Sequence, residues 1–96
     1  MNKQYILQKL RHLKPELQVK YGVSELALFG SYSRNEQTPE SDIDIMVDFN
    51  KAVGIDFLDV VYLLEDAFEK TGVQVVSKKG IKTQYYNRLK HDLIYA

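Results

Sequence analysis

Hydrophobic positions along the chain follow two rhythms. Ile6, Leu7, Leu10 and Leu13 recur at the three-to-four spacing of an amphipathic helix over residues 3–13. Lys14-Pro15 interrupts that stripe, and Pro15 is expected to open a second short helix that stops at Gly22. The rhythm then shortens. Leu26-Ala27-Leu28-Phe29 is a continuous apolar run that predicts a strand over 25–29, ended by Gly30. From Asp42 to Phe49 the pattern alternates, with Ile43, Ile45, Val47 and Phe49 on one face and Asp42, Asp44 and Asp48 on the other. Past a turn over 50–54, Leu58, Val61, Leu64 and Phe68 return to helical spacing, with Asp56 as the cap and Gly72 as the stop. Val73–Val76 predicts a third strand, Lys78-Lys79-Gly80 a loop, and Thr83–Tyr95 a final helix carrying Tyr85, Leu89 and Leu93 on one side.

Ninety-six residues with 45% hydrophobic content suit one folded domain, 1–96, with a single modest core. The chain has no cysteine, which excludes disulfides and thiolate metal sites and leaves cytoplasm as the default compartment. No stretch approaches transmembrane length, and the polar start does not read as a signal peptide. Net charge is zero but unevenly spread: residues 1–35 hold six basic and two acidic side chains, 36–69 one and ten, and 70–96 six and one. An acidic middle favours a metal and repels nucleic acid, so no direct nucleic-acid contact is expected. Solvated helix faces account equally well for most of these charges.

The chemistry concentrates between Phe29 and Ile45. Gly30 closes a strand with a residue that allows close backbone approach, and Ser31 can cap a short helix whose free N–H groups suit a phosphate. Asp42 and Asp44, about 6.6–6.8 Å apart along a strand face, can hold a divalent ion between them. Arg34 could steady a triphosphate or pair with an acid of its own loop, and Ser41, just before the acids, joins Gly30, Ser31 and Arg34 as a candidate nucleotide contact. An Asp-x-Asp pair alone also arises at turns and solvated edges; the preceding Gly-Ser makes the metal reading the stronger one. For the end of the first strand and the start of the second to meet at one metal, those strands must run antiparallel, and the helix over 56–71 is long enough to return the third strand parallel to the second. The expected fold is α+β (mixed α/β): a small mixed three-stranded sheet with helices mainly on one face. His12 and His91 lack partners at ligand spacing, and the seven tyrosines read as core or partner surface.

Leu28-Phe29-Gly30-Ser31-Tyr32-Ser33-Arg34 followed by Ser41-Asp42-Ile43-Asp44-Ile45 resembles the nucleotidyltransferases of the DNA polymerase β superfamily, and most closely the minimal nucleotidyltransferases that form the antitoxin halves of HEPN–MNT toxin–antitoxin pairs. The resemblance runs from Pro15 to Tyr95. It implies a nucleotidyltransferase fold, Mg²⁺ or Mn²⁺ on Asp42 and Asp44, a nucleoside triphosphate as substrate, and transfer of AMP to a hydroxyl of a HEPN toxin, the acceptor coming with that second molecule. One position departs. The family usually carries a third acid on a later strand, and here Val73-Gln74-Val75-Val76 places an amide there. Gln74 brings no negative charge and cannot act as a general base. Asp48 stands about 13 Å further along its strand, and Glu65 and Asp66 fall in a predicted helix. The alternative is therefore a degenerate antitoxin that neutralises its toxin by binding alone.

Overall fold

A computed structural model describes residues 1–50, 55–69 and 71–96 of the chain, and the side chains of all these except 55 and 56. Helix α1 spans Lys3–Tyr21, followed by strands β1 (Val23–Phe29) and β2 (Ile43–Phe49), helix α2 (Ile55–Ala67), strand β3 (Val73–Ser77), helix α3 (Thr83–Leu89) and strand β4 (Ile94–Tyr95). The turn expected over 50–54 lies, beyond Asn50, outside the described residues, as does the side chain of the expected cap Asp56.

The apolar rhythm explains the core. Ile43, Ile45, Val47 and Phe49 are buried on one face of β2, against Ile6, Leu10 and Leu17 of α1 and Val60, Leu64 and Phe68 around α2. A smaller cluster on the opposite sheet face joins Ala27, Phe29 and Met46 to Leu89 of α3. Helices α1 and α2 thus cover one face, and α3 lies on the other.

Among the described residues the sheet has four strands, in the order β3-β2-β1-β4, rather than the expected three. β1 and β2 are antiparallel and β2 and β3 parallel. The fourth strand comes from the stretch expected to be the end of the last helix. Helix α3 stops once Leu89 is buried, a 3-10 turn covers Lys90–Asp92, and Ile94 and Tyr95 then pair with Leu28 and Ala27. Ala96 N–H donates to the Leu26 carbonyl at 2.8 Å. Two residues give no period to read, yet they cover an otherwise open edge of the fully buried Leu26-Ala27-Leu28 run.

The two expected N-terminal helices are one. Asn2 caps α1 by accepting from the Tyr5 N–H at 2.9 Å, and Gly22 ends it in the left-handed region at φ +73°. Pro15 lies inside. An interior proline costs about 3 kcal/mol, and burying a leucine side chain recovers about 1.5–3 kcal/mol, so completely buried Leu17 offsets much of the break. No helix among the described residues is long and apolar enough to cross a membrane.

If Leu17 carries the helix through Pro15, Leu17→Ala should lower stability by about 2–5 kcal/mol in urea unfolding. Val19→Ala, at a position 90% exposed, should change it by less than about 0.5 kcal/mol.

Candidate active site

The register of β1 on β2 builds the site. It pairs Phe29, the last residue of β1, with Asp44 near the start of β2. The chain leaves β1 through Gly30 at φ +78°, a conformation L side chains rarely adopt. A Cβ at this position would also overlap Asp44 Oδ2. Gly30 is therefore required twice, by its own backbone and by the carboxylate lying against it.

After Gly30 the chain forms a hydrogen-bonded turn over Ser31–Asn35, where a short helix capped by Ser31 was expected. Arg34 N–H donates to the carbonyls of Gly30 and Ser31, both at 3.2 Å, and Glu36 N–H donates to Ser31 at 2.9 Å. Tyr32 enters the main core, and the buried Ser33 hydroxyl donates to the Asp92 carbonyl. With both flanks anchored, half-buried Ser31 stands at the turn's edge, its hydroxyl without a hydrogen-bond partner among the described residues.

Asp42 precedes β2 by one residue and is exposed. Its carboxylate lies against Gly72, where a Cβ would overlap Asp42 Oδ1, while Ile43 N–H donates to the Gly72 carbonyl at 2.8 Å. Gly72, legible in the sequence only as a helix stop, is thus also the space Asp42 occupies. Ser41 acts locally: its hydroxyl accepts from the Thr38 N–H at 2.9 Å, and its own N–H donates to the Thr38 carbonyl at 3.0 Å. The serine thereby shapes the loop that delivers Asp42.

Asp44 is half-buried. Burial first, and the charge of Asp42 second, push its carboxyl above the ordinary range, with Arg34 pulling weakly the other way. Arg34 is largely committed elsewhere, through Nε to Glu36 at 2.6 Å and through Nη1 to Asp92. The two acids therefore form an undercompensated negative pair of hard oxygen donors, which fits a divalent cation such as Mg²⁺.

The third position is distinct. β3 pairs Gln74 with Asp44 in register, so the exposed amide shares the Asp44 face. Asp48 faces the far end of the sheet, 3.5 Å from Lys79, and Glu65 and Asp66 are exposed on α2. Among the described residues, no group of three or more His, Cys, Asp or Glu side chains could hold a metal. Lys78 and Lys79, in the stretch expected to be a loop, tie the chain after β3 to the sheet: Lys78 pairs with Glu25 at 2.8 Å, and Lys79 also donates to the Phe49 carbonyl.

A cavity of about 230 Å³ opens between Gly30, Arg34 and Asp44 on one side and Tyr85, Arg88 and Asp92 on the other. The last three were not singled out from sequence as site residues. Tyr85 read from sequence as core or partner surface on a helical stripe, and a basic C-terminal third says nothing about where that helix docks. A larger cavity of about 500 Å³ lies against β3, lined by Val75, Val76, Ile81 and Phe57, and shares Tyr85 with the first.

The chain belongs to the nucleotidyltransferase domain family, whose sequence model matches residues 10–93. A Methanocaldococcus jannaschii protein provisionally named a protein adenylyltransferase is 43% identical over 90 residues, covering 91% of this chain and 90% of its own length. Protein adenylyltransferase MntA of Thermococcus cleftensis is 34% identical over 84 residues, covering 86% of this chain and 84% of its own. The fold is shared with a chain of the solved complex of tri-AMPylated Shewanella oneidensis HEPN toxin with MNT antitoxin, at TM-score 0.61 and 22% identity over 98% of this chain and 67% of that one.

The Asp44 environment has a measurable consequence. A carboxyl whose folded pKa exceeds its unfolded value contributes stability that is complete below the unfolded pKa and lost as pH rises through the folded one. At pH 7, ionised Asp44 therefore opposes folding. In metal-free protein, Asp44→Asn should raise stability at pH 7, modestly because the carboxyl is partly exposed. The gain should vanish below about pH 3.9. A loss of stability at pH 7 in urea unfolding would contradict this electrostatic assignment.

Proposed function

We propose that residues 1–96 act as a single minimal nucleotidyltransferase domain that transfers AMP from ATP to a hydroxyl of a HEPN-type toxin in the cytoplasm, with Mg²⁺ or Mn²⁺ as cofactor. The observation that carries this reading is the Asp44 carboxylate seated over Gly30, with the charge of Asp42 acting on it. The names of the two relatives and the AMPylated toxin of the solved complex support the choice of AMP and of acceptor.

Gly30 lets the Asp44 carboxylate lie against the turn, and Ser31 would offer its hydroxyl to a phosphate beside it. Asp42 and Asp44 would hold the metal, which when bound would stabilise charge on the attacking and leaving oxygens. The acceptor oxygen attacks the α-phosphorus, the bond from that phosphorus to the α–β bridging oxygen breaks, and pyrophosphate leaves. The hydroxyl proton has no base at position 74, since an amide takes none, and passes to water or to a carboxylate of the pair. Gln74 also favours a second reading, an antitoxin that has kept the fold and neutralises its toxin by contact alone.

Transfer of label from α-labelled ATP to a purified HEPN partner separates the two. Wild-type protein should label the partner slowly, and Gln74→Asp should accelerate it, since general-base catalysis contributes typically about 10²–10⁴-fold. No label with either protein, together with undiminished neutralisation of the toxin, would establish the binding-only reading.

A further inference from the structure

We propose that α3 forms the second wall of the nucleotide site, with Arg88 binding the triphosphate and Tyr85 presenting its ring to the base. The inference deepens the nucleotidyltransferase reading and rests on it.

Charge points to Arg88. Of the two arginines at the Asp44 cavity, Arg34 is held by Glu36 and Asp92. Arg88 is exposed and, among the described residues, makes no ion pair or side-chain hydrogen bond. A triphosphate brought to two carboxylates needs cationic donors that are not already spent on acids, and a guanidinium offers several donors in a planar fork. The α3 segment, Thr83 to Leu89, contains no acidic residue to compete for it.

Geometry joins Tyr85 to the same site. Leu89 is buried against Ala27, Phe29 and Met46, with Tyr86 packed beside it, and this fixes the rotation of α3. Tyr85 and Arg88 are three residues apart and therefore neighbours on one helix face. Tyr85 lines both the charged cavity with Gly30 and Asp44 and the apolar cavity with Val76 and Ile81. The cavities thus meet at an aromatic ring, 39% exposed. A charged compartment beside a larger apolar one matches a nucleotide's phosphates and base, and sequence-tolerant stacking on an aromatic ring suits the latter.

The test uses the full chain with Mg²⁺, titrated with α,β-methylene-ATP, and inorganic tripolyphosphate as competitor. Arg88→Gln should weaken the nucleotide analogue and tripolyphosphate alike, by about tenfold or more, and Arg88→Lys should recover part of the loss. Tyr85→Ala should weaken the analogue and leave tripolyphosphate unchanged. Both side chains are solvent-exposed, so the melting temperature should stay at the wild-type value. Analogue binding within twofold of wild type in both Arg88→Gln and Tyr85→Ala, while Asp44→Asn still weakens it, would overturn the α3 assignment and leave the nucleotidyltransferase reading intact. A wild-type protein that binds no analogue would overturn both.

Discussion

The contact between Gly30 and the Asp44 carboxylate sets the geometry on which the site depends. It exists because β1 and β2 keep one register from Glu25 to Phe29, beyond an irregularity between Val23 and Glu25, with Phe29 opposite Asp44. That register is held from the other side of the sheet. Ile43, Ile45, Val47 and Phe49 fill the main core, and a slip of one residue would turn them to the opposite face and drive Asp44 and Asp48 inward. Burial of each such side chain stabilises by about 1.5–3 kcal/mol, far more than the exposed pairings of the loop can contribute. The hydrophobic pattern thus places an acid against a glycine, whose missing side chain leaves the carboxylate its place.

Electrostatics explains why the arrangement suits chemistry better than stability. Asp42 and Asp44 repel, Asp44 is partly withdrawn from water, and the nearest arginine is shared with Glu36 and Asp92. A fold selected only for stability would neutralise that pair. The protein instead commits Arg34 to joining the glycine turn to the C-terminal segment, where Ser33 also meets the Asp92 carbonyl. The same link positions the chain that carries Tyr85 and Arg88 across the cavity from Asp44.

What the sequence revealed and what it concealed divide along local and long-range lines. Alternation over 42–49, the apolar run before Gly30 and the helix between the later strands were legible because each is a short-range period, and strand directions followed from joining them at one metal. Gln74 could be placed beside Asp44 on the same logic. The strand at Ile94–Tyr95 was hidden because two residues have no period, and α1 was split in two because Pro15 is a strong local signal that the burial of Leu17 overrides. Gly72 as the seat of Asp42, the lysine ties of Lys78 and Lys79, and the cavity wall of Tyr85, Arg88 and Asp92 all join segments far apart in the chain. Such contacts leave no mark on neighbouring residues.

A double-mutant cycle between positions 30 and 44, read by urea unfolding of metal-free protein, tests the central contact most directly. Gly30→Ala alone should destabilise by at least about 1 kcal/mol, since it combines a left-handed backbone with overlap on the Asp44 carboxylate. Adding Asp44→Ala removes the overlap and leaves the backbone strain, so the two changes should couple by about 0.5–3 kcal/mol, the double variant being more stable than the sum predicts. Additivity within about 0.3–0.5 kcal/mol would show that Gly30 and Asp44 do not meet, and would contradict the site as built.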